Sequence, residues 1–223
     1  SGSKWTAAVN AIKGVVDATA SQIDFGLMMY PSDPDNDACS AGGLNVPVHS
    51  NAAFSIDFSL NVSSPGGATP TADTLNAAKS VLDFLPSQGG PKAVILATDG
   101  GPNCNGSFDG DTCRCTSAQA DCEASPYNCL DDVNTINAAS SLNAAGYSVY
   151  VIGVPGSENF SDVLNATATA GGTAQPGVTA YYDATSSAGL STALEDIVVR
   201  ISSCTLTLSS AATPSQLTVT VDG

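Results

Sequence analysis

Short, almost wholly apolar segments alternate with segments of helical periodicity along this chain, and no other feature of the sequence constrains the fold more. The clearest apolar segments are residues 93–97 (AVILA) and 149–154 (VYVIGV). A strand that is apolar on both faces has to be covered on both faces. Because helical segments separate the strands, the pattern predicts a doubly wound α/β fold, in which helices cover both faces of a mostly parallel sheet.

The remaining elements follow from periodicity and from boundary residues. Further strands are predicted at 23–30, 44–48 and 180–184, whereas residues 52–60 fit either a strand or a helix. Thr69 or Thr71 is expected to cap the second predicted helix, with Pro70 early in it. The predicted helices are 5–18, 69–85, 130–145, 159–172 and 187–201.

The end of the sequence changes character. Residues 204–223 form two alternating segments with no helix between them, which predicts the start of a β-strand module or an edge hairpin. Residues 1–203 are expected to form the main α/β domain, with residues 102–129 as a cysteine-rich insertion.

Charge and composition exclude several functions. The chain has 21 acidic and 6 basic residues, a net charge of −15, which argues against nucleic acid or an anionic membrane as partner. No apolar segment approaches the roughly 18 residues of a membrane span, so no membrane insertion is expected. With one histidine, no G-x-S-x-G motif and no glycine-rich phosphate loop with lysine, the sequence does not predict an enzyme.

Seven cysteines indicate an oxidising compartment, so the protein is expected to be secreted or at the cell surface. Their spacing does not match a zinc site, since the only tight pair is Cys113-Arg114-Cys115. The insertion is expected to be held together by disulfides, one of which involves the distant Cys39. Cys204 is expected to have no disulfide partner within the chain. The predicted disulfide cysteines are Cys39, Cys104, Cys113, Cys115, Cys122 and Cys129.

A candidate metal site follows from the end of one buried strand. Asp99 comes directly after the strand, and Gly100 and Gly101 leave room for a ligand to approach. Thr69 follows a glycine-rich turn and precedes a helix. In doubly wound sheets ligands bind at the carboxyl ends of strands, and carboxylate and hydroxyl oxygens suit a hard cation.

These motifs resemble the von Willebrand factor type A (vWA) domain, in its bacterial secreted or surface form. The segment VILATDG is similar to that family's fourth strand, GGATPT to its metal-site turn, and KWTAAVNAI to its first helix. The resemblance makes residues 52–60 a helix. It implies an adhesion module in which Thr69 and Asp99 hold one Mg²⁺ or Ca²⁺ that captures a carboxylate of a partner protein. The alternative is a structural subunit of a surface assembly or filament, held to neighbouring subunits by strand exchange and disulfides, with an incomplete metal site.

The family's first strand and its D-x-S-x-S segment have no clear counterpart in this sequence. Ser1-Gly2-Ser3 is interpreted as the turn after such a segment, and a shortened motif that uses Ser1 and Ser3 is the alternative. A third possibility is a strand donated by a neighbouring subunit, because residues 218–223 followed by 1–3 read TVTVDGSGS and would supply Asp222. The missing strand is expected to come from residues upstream of Ser1 or from another chain.

Overall fold

A computed structural model of the chain describes residues 4–86, 90–117 and 125–202. This part of the chain contains six α-helices and five strands. The helices are α1 (Lys4–Thr19), α2 (Ala53–Val62), α3 (Thr71–Phe84), α4 (Asp132–Ala144), α5 (Ser161–Ala170) and α6 (Ser187–Ser202). The strands are β1 (Phe25–Met29), β2 (Gly43–His49), β3 (Ala93–Thr98), β4 (Ser148–Gly153) and β5 (Tyr182–Asp183).

Three of the strands form the predicted parallel sheet, in the order β3-β4-β5. Ala93 of β3 pairs with Ser148 of β4, and the register runs without a break to Thr98 and Gly153. Every residue of β4 after the first is buried. The crossovers between these strands contain α4 and α5, as a parallel connection requires.

The other two strands differ from the prediction, since β1 and β2 form a separate antiparallel pair. The connection between them, residues 30–42, contains no helix that could carry the chain back for a parallel pairing. Within the described residues the two sheets are not joined by strand pairing. Just after β1, the Tyr30 hydroxyl donates to the Ala97 carbonyl oxygen of β3 at 3.4 Å.

Alternate residues of β4 enter two different apolar clusters, as expected for a strand buried on both faces. Val149 and Val151 pack with apolar residues of α3, α4 and α5. Tyr150 and Ile152 pack with apolar residues of α1 and α6. The parallel sheet therefore lies between the two apolar clusters.

Helix α1 joins the parallel sheet to the antiparallel pair. Its residues Val9 and Val16 belong to a third apolar cluster, with Val46 of β2 and Ile56 and Leu60 of α2. The segment whose periodicity was ambiguous is thus a helix, and its buried residues Ile56 and Leu60 are four positions apart. This agrees with the assignment that the family resemblance favoured.

The start of α3 corrects one prediction. Pro70 occupies the N-cap position, Thr71 is the first helical residue, and no side chain caps the helix. Neither threonine is therefore the cap. Instead, the main-chain N–H and carbonyl of Thr69 form hydrogen bonds with Asn103 in the loop after β3. These hydrogen bonds fix the turn before the helix.

None of the helices in the described part of the chain combines the length and the apolar character needed to cross a bilayer. The predicted β module and the predicted contributions of Ser1, Ser3, Asp222, Cys122 and Cys204 lie outside the described residues.

Candidate functional site

The segments that carry Thr69 and Asp99 meet at the carboxyl end of β3. Asp99 follows the last residue of that strand, and Asn103 lies four positions further along the loop. The Asn103 N–H donates to the Thr69 carbonyl at 2.9 Å, and the Thr69 N–H donates to Asn103 Oδ1 at 2.6 Å. This two-way clamp holds the turn before α3 against the loop after β3.

Asn103 is a site residue that the sequence did not reveal. It is buried, and its Nδ2 donates to the Thr116 hydroxyl at 3.3 Å in addition to the contacts with Thr69. Asn103 thus makes three hydrogen bonds to two residues, and a buried residue bonded in this way holds its surroundings in place, because its movement would leave polar groups unsatisfied. No spacing rule distinguishes this asparagine from its neighbours, since its partners are 34 and 13 residues away.

The turn that presents Thr69 depends on a glycine. Gly67 has a φ of +78°, and a β-carbon at this position would collide with the ring of Pro31. Only glycine adopts this conformation without strain, so Gly67 allows the turn to lie directly on the loop after β1. Thr69 itself is half-buried, and its hydroxyl makes no hydrogen bond with any described residue.

Asp99 is open to solvent. Its side chain is 63% exposed, and its Oδ2 lies 3.6 Å from the Nζ of Lys4 at the start of α1. An ion pair between exposed groups is worth only about 0–1 kcal/mol, so it does little to hold the carboxylate in place. Asp99 therefore keeps oxygens available to a ligand.

The Tyr30 hydroxyl contacts residues at the carboxyl end of β3. Burial raises the pKa of its hydroxyl to about 12, hydrogen bonds with Thr98 and Thr71 oppose that shift, and the nearby Asp99 charge adds to it. The hydroxyl thus stays protonated at any physiological pH and acts as a fixed hydrogen-bond donor.

The donor set tests whether a metal ion fits. The Thr69 hydroxyl and the Asp99 carboxylate are hard oxygen donors of the kind that Mg²⁺ and Ca²⁺ prefer. These ions take about six or more ligands, whereas only these two predicted ligands lie within the described residues. No cluster of three or more His, Cys, Asp or Glu side chains suited to a metal occurs in residues 4–86, 90–117 and 125–202. The two residues fit one side of a cation site and leave the rest to other donors.

Disulfides fix the loops around this end. Cys39, in the loop after β1, is bonded to Cys104 in the loop after β3, and Cys113 is bonded to Cys129 within the insertion. Cys115 is disulfide-bonded as well. The expectation of disulfide bonds is confirmed, and the distant Cys39 is the residue that ties the insertion to another loop.

Arg114 anchors the cysteine-rich insertion to the start of α5. Its Nη1 donates to Asp162 Oδ2 at 2.6 Å and its Nη2 donates to the Asn159 carbonyl at 2.7 Å. The guanidinium also lies 5.6 Å from the centre of the Phe160 ring. The hydrogen bond from Arg114 holds the pKa of Asp162 below its ordinary value. In the sequence this arginine was noticed only as the residue between two cysteines.

Comparison with known sequences identifies a partial relative. No protein-family model matches the chain. Over 114 residues the chain is 34% identical to the uncharacterized protein YwmC of Bacillus subtilis (strain 168). The match covers 51% of this chain and 38% of YwmC, so the chain spans well under half the length of that curated relative.

Solved structures match almost the whole chain at low identity. The pilus adhesin SpaC of Lactobacillus rhamnosus GG has a TM-score of 0.64 at 17% identity, over 89% of this chain and 28% of SpaC. The vWF domain of the type V pili tip protein Mfa5 of Porphyromonas gingivalis has a TM-score of 0.58 at 12% identity, over 91% of each chain. The minor pilin PilB of Streptococcus sanguinis has a TM-score of 0.58 at 18% identity, over 89% of this chain and 53% of PilB. Identities this low establish the fold alone, and that fold is a von Willebrand factor type A-like fold, as the sequence resemblance indicated.

Proposed function

We propose that this chain is a non-enzymatic protein-binding module of a bacterial extracellular or surface assembly. The observation that carries the proposal is the clamp between Asn103 and Thr69, which brings the Thr69 and Asp99 segments together on a disulfide-braced surface. The similar folds of two pilus proteins and a minor pilin support the setting. The disulfides fit a protein that works outside the reducing cytoplasm.

The finer proposal is that Thr69 and Asp99 contribute to a site for one Mg²⁺ or Ca²⁺, which binds a carboxylate of the partner protein. A bound divalent ion supplies local positive charge, so an acidic ligand can approach a chain whose net charge is −15. The free Thr69 hydroxyl and the exposed Asp99 carboxylate are available for this role without breaking any buried contact. We further propose that the two sheets are halves of one doubly wound sheet.

Cation titration tests this site. Isothermal calorimetry with MgCl₂ and with CaCl₂ is expected to show binding to the native chain and loss of binding in Asp99→Asn and Thr69→Val. The matched control is Asp17→Asn, which removes the same charge near the other end of α1, roughly 20 Å along the helix from Lys4. If Asp99→Asn and Thr69→Val bind as tightly as the control, the cation proposal is wrong.

A second candidate function is a structural subunit that accepts a strand from a neighbour. The observation that favours it is the pairing of β3 on one edge only within the described residues, with most of its residues only partly buried while β4 is buried. Amide exchange of β3 tests it as the protein concentration rises. Slower exchange at high concentration, together with a larger particle in light scattering, supports strand exchange, and exchange independent of concentration contradicts it.

A further inference from the structure

A polar cleft between α3 and α4 is lined by neither Thr69 nor Asp99. It has a volume of about 390 Å³ and is bordered by the loop that follows Cys104. Asp73 and Asn76 of α3 line one side, and Asp131 and Asn134 line the other. This volume lies within the range of about 300–1,000 Å³ that is typical of ligand sites.

Asp131 is the unusual residue of this cleft, because it is a carboxylate that is only 4% exposed. It occupies the N-cap position of α4, yet its side chain makes no capping hydrogen bond. Its Oδ1 accepts from Asn134 Nδ2 at 2.6 Å, whereas its Oδ2 receives no hydrogen bond from the described residues. This oxygen is not one of the fully enclosed polar atoms without a partner, so it keeps access to the cleft that Asp131 lines and can accept from a ligand. Helix capping does not explain its position.

The chain offers no positive charge to this carboxylate. Burial raises the pKa of Asp131, and the charges of Asp73 and Asp132 add to the shift despite the opposing hydrogen bond from Asn134. None of the chain's six basic residues lines the cleft, and each has a partner elsewhere. Those six residues are Lys4, Lys13, Lys79, Lys92, Arg114 and Arg200.

The lining residues indicate what kind of cation would fit. Among the described residues only two carboxylates line the cleft, and these residues contain no metal-binding cluster of three or more acidic, His or Cys side chains. The carbonyl oxygens of Asn76, Asn134 and Asn137 add acceptors that suit a cation with several N–H donors. A guanidinium has five such donors in a plane and an ammonium has three.

We propose that this cleft binds a basic side chain of a partner protein, arginine in preference to lysine, with Asp131 and Asp73 as its counter-charges. The site is separate from the proposed cation site and does not depend on it. The chain's excess of acidic residues, 21 against 6, would also speed the approach of a basic partner surface.

Nuclear magnetic resonance of the ¹⁵N-labelled chain tests the proposal at low salt, where charge screening is weakest. N-acetyl-argininamide is the probe, and N-acetyl-citrullinamide is its neutral counterpart of nearly the same shape. Shifts are expected at the amides of residues that line the cleft with the arginine probe and not with the citrulline probe. Asp131→Asn and the exposed Asp73→Asn are each expected to raise the Kd about tenfold, as the loss of a charged hydrogen-bond partner predicts.

Asp132→Asn is the matched control, because it removes the same charge next to Asp131 from a residue that does not line the cleft. Its Kd should stay within about twofold of the native value. The exposed Asp73 keeps the test valid if the buried variant folds poorly. The proposal is overturned if the arginine probe causes no shifts at the cleft, if the citrulline probe binds equally well, or if Asp73→Asn binds like the control. It is also overturned if CaCl₂ at the same concentration produces the same shifts, since the site would then prefer a metal ion.

Discussion

Asp99 and Asp131 are two carboxylates in opposite surroundings. The side chain of Asp99 is 63% exposed and lies 3.6 Å from the Lys4 ammonium, whereas Asp131 is buried and faces no cation of this chain. Water solvates the first charge, so it costs the fold little. The second charge has lost most of its water and has one hydrogen bond, from Asn134, so its burial remains unfavourable until a further donor binds. The exposed carboxylate therefore places few limits on the chemistry of its ligand, whereas the buried one requires a ligand that donates hydrogen bonds.

The two regions share a loop. The carbonyl of Pro102 accepts from the Asp131 N–H at 2.9 Å, and the next residue, Asn103, clamps Thr69. Cys104 then lines the cleft and forms the disulfide to Cys39. Residues 99–104 therefore touch both candidate sites, so one change in this loop is expected to disturb both.

Removal of the Cys39–Cys104 disulfide should have the largest effect. Because it closes a loop of 65 residues, chain entropy predicts that Cys39→Ala with Cys104→Ala lowers the free energy of unfolding by about 4 kcal/mol. The shorter Cys113–Cys129 link, with a separation of 16, is the control, with an expected loss of about 3 kcal/mol. Urea unfolding measures both. A smaller loss from the Cys39–Cys104 variant would show that this disulfide does not hold the shared loop.

Asn103→Ala should have the second largest effect on stability, because it removes the clamp between Thr69 and the loop that the two regions share. The Thr69 N–H loses its acceptor and the Thr116 hydroxyl loses a partner, both at partly buried positions, so we expect a loss of about 2 kcal/mol in the free energy of unfolding. Asn36→Ala is the control, since its amide contacts only the exposed Asp33. Equal losses in the two variants would contradict the clamp.

Asp131→Asn should raise stability, by about 1 kcal/mol at neutral pH, because it removes a buried charge. The pKa of Asp131 is raised, so the folded state holds this proton more tightly than the unfolded state does. The destabilisation is therefore complete above the folded-state pKa and disappears below the ordinary value of 3.8.

Urea unfolding of both proteins across this range checks the sign. The advantage of Asp131→Asn is expected to shrink as the pH falls and to vanish below that value. A variant that is less stable than the native chain at neutral pH would show that the Asp131 charge is already satisfied.

Much of the fold could be predicted from the sequence because the strongest patterns are local. The segments 93–97 and 149–154 are apolar enough to specify buried strands, and the structure places β3 and β4 there. The antiparallel pairing of β1 and β2 was not predicted. The general alternation of strands and helices suggested a parallel pairing, although the connection between these two strands contains no helix.

The candidate sites could be predicted only where a motif marks them. Thr69 and Asp99 belong to short recognisable segments, whereas Asn103 and Arg114 act through partners distant in sequence. Asp131 was missed for another reason. In the sequence it is one of two acidic residues at the start of a helix, where acidic residues are common, and only the packing of α3 against α4 shows that it is buried.

Among these substitutions, Asp99→Asn should have the smallest effect on stability, in contrast to Asp131→Asn. The carboxylate is exposed and its ion pair with Lys4 is screened, so the free energy of unfolding should change by less than about 0.5 kcal/mol. Because the same substitution is expected to abolish cation binding, stability and binding would separate cleanly at this residue. At Asp131 the two effects would be opposed, because Asp131→Asn is expected to raise stability and to weaken binding of the arginine probe about tenfold. A loss above about 1 kcal/mol for Asp99→Asn would mean that Asp99 braces the fold, which would remove the basis for treating it as a carboxylate free to bind a ligand.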